Sequence, residues 1–104
     1  MVYNYSESLT VFGLFEQGAD PRSPKPALDT LHAYIESKCP CGQIHTHEEG
    51  YLEASIGGTR FKAEIHSRPR TSEGKLQLSF DTSDPEITKP VRRAFKGYRG
   101  PHHS

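Results

Sequence analysis

Tyr51-Leu52-Glu53-Ala54-Ser55-Ile56-Gly57-Gly58-Thr59-Arg60-Phe61-Lys62-Ala63-Glu64-Ile65-His66 decides the fold. Apolar and polar side chains alternate on both sides of Gly57-Gly58, and a glycine pair between alternating runs marks a two-residue β-hairpin. A turn at 57–58 sets Ile56 opposite Thr59, Ala54 opposite Phe61 and Leu52 opposite Ala63 on one face. On the other face Glu53 meets Lys62 and Ser55 meets Arg60. A slip of one residue would mix the two faces, so the pattern fixes its own register.

Working outward, Lys75-Leu76-Gln77-Leu78-Ser79-Phe80 is a third alternating run. Together these predict a meander with strands at 51–56, 59–66 and 75–80. Upstream, Leu28, Leu31 and Ile35 fall at helical spacing, with Ala27 and Tyr34 beside them, and predict a helix over 27–38. Pro26 suits its first turn and Lys38 its negative end. His32 lies off the apolar stripe. Downstream, Val91, Ala94, Phe95 and Tyr98 predict a closing helix over 89–98, with Thr88 as its cap. Aromatic and β-branched residues over 2–5 and 9–15 predict one or two N-terminal strands, pairing either with the meander or with a second copy of the chain. Residues 17–26 hold three prolines and read as a loop, and 99–104 as a flexible tail. The expected fold is α+β: one antiparallel sheet with helices on one face. The order helix, three strands, helix is shared with double-stranded-RNA-binding domains, as topology only.

A chain of 104 residues with 33% hydrophobic content is one domain with a thin core. It has no run near the roughly 18 to 20 apolar residues of a membrane span, and no membrane partner is expected. The start, Met1-Val2-Tyr3-Asn4-Tyr5-Ser6-Glu7, lacks a basic-then-apolar leader pattern. Its two cysteines are one residue apart and cannot staple distant segments, so a reducing cytoplasmic setting is expected.

Cys39-Pro40-Cys41-Gly42-Gln43-Ile44-His45-Thr46-His47 packs four metal-ligand side chains into nine residues. Two thiolates and two imidazoles form a standard closed zinc set. On an extended chain His45 and His47 would share one face, and Glu48 or Glu49 could orient an imidazole from outside. The expectation is one structural zinc held by Cys39, Cys41, His45 and His47. The alternatives are free thiols beside a strand on which Ile44 faces inward, or a strained Cys-x-Cys disulfide.

Charge is uneven although the net is zero. All 13 acidic residues lie at or before Glu86, so residues 1–88 carry −5 and residues 89–104 carry +5. Lys89, Arg92, Arg93, Lys96 and Arg99, with Arg68 and Arg70 of the 67–74 loop, form the expected partner surface. The function expected is a non-catalytic protein-binding module of adaptor or inhibitor type. A nucleic-acid-binding module using the basic helix is the alternative. A third reading is a metal-independent ribonuclease, for which Glu64, His66 and Arg68 offer an acid, an imidazole and a phosphate-binding cation.

Overall fold

A computed structural model of the chain describes residues 3–13, 25–39, 41–67 and 74–100. The elements run β1 (Tyr5–Val11), α1 (Lys25–Lys38), β2 (Gln43–His47), β3 (Tyr51–Ile56), β4 (Thr59–Ser67), β5 (Gly74–Phe80) and α2 (Pro85–Phe95). The strands form one antiparallel sheet in the order β1-β5-β4-β3-β2, and both helices pack on it. Of the loops expected at 17–26 and 67–74 and the tail at 99–104, residues 17–24, 68–73 and 101–104 lie outside the described residues, while Lys25 and Pro26 already belong to α1.

The β3–β4 hairpin has the register expected from the alternation: Ile56 opposite Thr59, Ala54 opposite Phe61, Leu52 opposite Ala63, Glu53 opposite Lys62. Gly57 and Gly58 both sit at positive φ, 60° and 85°, the requirement of the type I′ turn. Gly57 is needed twice, because a Cβ there would also fall 2.8 Å from the Pro90 ring of α2.

β5 joins β4, and β1 completes that edge, pairing Tyr5 with Phe80 and Leu9 with Leu76. Among the described residues the N-terminal segment thus supplies one strand, paired within the chain. The sheet gains a fifth strand beyond the expected N-terminal strand and meander, because Gln43–His47, part of the expected cysteine–histidine loop, pairs with β3 as β2, with Ile44 opposite the core residue Ala54 as the strand alternative held.

The core is a sandwich of sheet and helices. Leu28, Leu31 and Ile35 of α1 and Val91 and Phe95 of α2 cover Leu52, Ile56, Phe61, Leu76, Leu78 and Phe80. Rings run across it in tilted or edge-on contact, from Tyr34 through Tyr98, Phe95 and Phe61 to Phe80. The other face of the sheet is polar. There Glu53 accepts from Tyr3 at 3.0 Å and from Arg60 at 3.1 Å. Burial works to raise the Glu53 pKa, but those two bonds together with the Arg60 and Lys62 charges outweigh it and hold the carboxyl below its ordinary value.

The closing helix runs over 85–95, not 89–98. Its cap is Asp84, whose carboxylate accepts from the Glu86 N–H at 3.0 Å, with Pro85 in the first turn. Thr88, the expected cap, is instead fully buried one turn inside. Pro90 misleads the sequence reading, since proline is ordinary in a first turn and here lies inside the helix. At the other end Gly97 takes φ 78° and ends the element. Beyond it the Gly100 N–H donates to the Phe12 carbonyl at 2.9 Å.

Candidate functional site

The four expected metal ligands are divided by the fold. α1 ends at Lys38 and turns through Cys39–Gly42, with the Gly42 N–H donating to the Cys39 carbonyl at 3.2 Å. Cys39 points into the core and is buried, which pushes its thiol pKa up and disfavours the thiolate a metal needs. Cys41 takes φ 53° and is exposed. Both thiols are free.

The histidines part for a different reason. β2 pairs Ile44 with Ala54, then Thr46 with Glu53 and His47 with Leu52, so one extra residue, His45, bulges from the strand. A bulge reverses the alternation. His45 therefore reaches the polar face, where Nε2 lies 2.5 Å from the Ser55 hydroxyl. His47 turns to the helix face. The expectation that the two share a face is corrected here: spacing of two implies one face only in an unbroken ladder. Among the described residues no group of three or more His, Cys, Asp or Glu is arranged to hold a metal.

His47 instead meets His32, the residue off the apolar stripe of α1. Their Nδ1 atoms are 2.8 Å apart and their ring centroids 5.0 Å apart. The Glu36 carboxylate is 2.5 Å from His32 Nε2, and Asp29 lies 3.6 Å from His47 Nε2. Asp29, His32 and Glu36 recur at i, i+3 and i+7 along one face of α1, beside the buried stripe. That spacing is visible in the sequence, but nothing in the sequence says what the face meets.

The basic residues of α2 separate into two groups. Arg92 lies against β1, its guanidinium forked onto the Glu7 carboxylate. Lys89, Arg93 and Lys96 border a groove between α2 and the C-terminal half of α1, joined there by Lys38. Tyr34, Ile56, Pro90 and Ala94 line its floor, and the groove measures about 540 Å³. The Tyr34 hydroxyl donates to the Ala94 carbonyl at 2.5 Å, which fixes the spacing of the two helices. Glu86 is the one acid on the rim, and among the described residues none of the four rim cations forms an ion pair. Lys38, Tyr34 and Pro90 were not foreseen as parts of this surface. Arg99 follows the helix and makes its own interaction, while Arg68 and Arg70 lie outside the described residues.

The expected ribonuclease residues sit on the polar face. His66 is exposed, with Nε2 3.8 Å from Glu64, and the other Glu64 oxygen is 3.2 Å from Lys62. Arg68 again lies beyond the described residues.

No protein-family model, no curated protein and no solved structure matches this chain.

Proposed function

We propose that this domain is a non-catalytic binding module that takes an acidic segment of a protein partner into the groove between α1 and α2. The observation that carries the reading is the ring of four cations, Lys38, Lys89, Arg93 and Lys96, around an apolar floor, none of them in an ion pair among the described residues. In a folded domain of zero net charge, cations held together without partners repel one another, and an anionic ligand relieves that cost. The floor adds a second demand. Tyr34, Ile56, Pro90 and Ala94 gain nothing from a phosphate chain, but they receive an aliphatic or aromatic side chain. The ligand that satisfies both is a short stretch rich in Asp and Glu with one apolar anchor. Carboxylates would set the encounter rate and register, and the anchor would set the residence time. A module that only occupies a partner's acidic segment is an adaptor or inhibitor.

Selection of a displayed random-peptide library on the immobilised domain tests this. The expected consensus is acidic with a single large apolar position, and binding is lost with Lys89→Glu plus Arg93→Glu but kept with Lys62→Glu on the opposite face. A consensus without acidic enrichment, or binding indifferent to the α2 pair, refutes the proposal. Duplex RNA provides the counter-probe: tighter binding to RNA than to any selected peptide, with a steep salt slope, would favour the nucleic-acid alternative.

A further inference from the structure

The contact between His32 and His47 brings two imidazole nitrogens from separate elements to one point, Nδ1 to Nδ1 at 2.8 Å. The Glu36 carboxylate stands 2.5 Å from His32 Nε2, and Asp29 lies farther off, 3.6 Å from His47 Nε2. A carboxylate accepts only, so Glu36 favours hydrogen on His32 Nε2 and leaves His32 Nδ1 bare. Either a hydrogen on His47 Nδ1 or a cation shared by both Nδ1 atoms satisfies that lone pair.

We propose that His32 and His47 form a two-histidine site for a divalent transition-metal ion, with Glu36 orienting the His32 ring from outside. Four observations support it. The ligating atoms come from two separate elements, α1 and β2, each anchored by its own packing. The Glu36 carboxylate on His32 Nε2 reproduces the carboxylate–histidine–metal arrangement that fixes ring orientation and raises ligand basicity. His47 opens onto a depression of about 490 Å³ lined by Asp29, Glu48, Glu49 and Lys25, three carboxylates against one ammonium, which admits water for the remaining coordination positions and keeps a net negative lining. Finally, the separation selects the geometry. With metal–nitrogen bonds of about 2.0 to 2.1 Å, the 2.8 Å between the Nδ1 atoms subtends an angle of about 85° at the metal. A tetrahedral ion would need the nitrogens about 3.3 Å apart. The near-right angle suits the cis positions of a tetragonal ion, Cu²⁺ or Ni²⁺, over tetrahedral Zn²⁺.

The site differs from the four-ligand cluster expected from the sequence. It shares His47 with that set and uses neither thiol.

Titration calorimetry with Ni²⁺, then Zn²⁺, tests it on the full chain. The background should carry His102→Ala and His103→Ala, because adjacent imidazoles at the C-terminus would bind the same ions. One Ni²⁺ per chain is expected, bound more tightly than Zn²⁺. His32→Ala and His47→Ala should each abolish it, and Glu36→Gln should weaken it about tenfold or more. Cys41→Ser and His45→Ala should leave it unchanged. No Ni²⁺ binding, binding that survives loss of either His32 or His47, or binding that Cys41→Ser removes would overturn the proposal. A second measurement needs no variant at the pair. Substoichiometric Cu²⁺ should broaden the ring resonances of His32 and His47 before those of His45 and His66; the reverse order would also overturn it.

Discussion

Gly42→Ala is the substitution with the clearest structural consequence. Gly42 sits in the turn between α1 and β2, with its Cα against the last turn of the helix. A Cβ built there overlaps the Ile35 carbonyl oxygen outright, and stands 3.0 Å from the Ile35 carbonyl carbon and 3.2 Å from the Cys39 Cβ. Ordinary carbon–carbon contact is about 3.5 to 4.0 Å, so the helix end and the strand must separate by about 1 Å. The obstructing atoms are backbone in α1 and a buried side chain, and neither can rotate away. Overpacking of this kind costs about 1 to 3 kcal/mol, and a clash with fixed backbone belongs at the upper end. Alanine also narrows the unfolded ensemble, which returns about 0.4 to 1 kcal/mol. The net loss is about 2 kcal/mol, a fall in Tm of about 8 to 15 °C for a domain of this size. Gly50 is the internal control. It lies in the next turn, has nothing within 4 Å of a built Cβ and does not need a positive φ. Gly50→Ala should leave Tm unchanged or raise it slightly. Thermal melts followed by circular dichroism measure both. A Gly42→Ala melt within about 2 °C of the parent would refute the placement of β2 against α1. The same 1 Å shift would open the His32–His47 contact, so Gly42→Ala should also weaken Ni²⁺ binding.

Three further outcomes follow from the packing. Phe61→Ala removes a fully buried ring that touches Phe80 and Phe95, and should cost about 3 to 5 kcal/mol in urea unfolding, a large part of the stability of so thin a core. Asp84→Ala removes the cap of α2 and should cost about 1 kcal/mol, whereas an effect confined to Thr88 would restore the shorter helix. Burial, with the neighbouring Tyr34, pushes the Tyr98 phenol up to about 12 from 10, and its hydroxyl has no hydrogen-bond partner among the described residues. A raised folded-state value stabilises the domain below pH 10 and is lost as pH climbs from 10 toward 12. Tyr98→Phe should therefore lose less stability than the parent across that window, by at most about 2 kcal/mol after allowing for the partial exposure of the ring. Parallel pH profiles for the two proteins would refute the burial argument.

The sequence alone determined the hairpin and its neighbours. Gly57-Gly58 and the alternation around it leave one register that keeps Leu52, Ala54, Phe61 and Ala63 together, so local turn chemistry and burial agree. Leu28, Leu31 and Ile35 defined α1 in the same way, because a run of 14 residues shows its helical period over several turns. β2 is five residues long, and one of its residues bulges. So short a run carries little periodicity, and the bulge inverts what remains. That is why His45 and His47 read as one face and fold onto two. Pro90 hid the first turn of α2 because proline favours helix starts more often than helix interiors. The groups brought together across the chain were beyond any local signal. His32 finds His47 fifteen residues on, and Lys38 joins Lys89, Arg93 and Lys96 around one groove. Sequence spacing settles which face of an element a residue occupies. What that face meets depends on how the helices lie on the sheet, and only the packed core decides that.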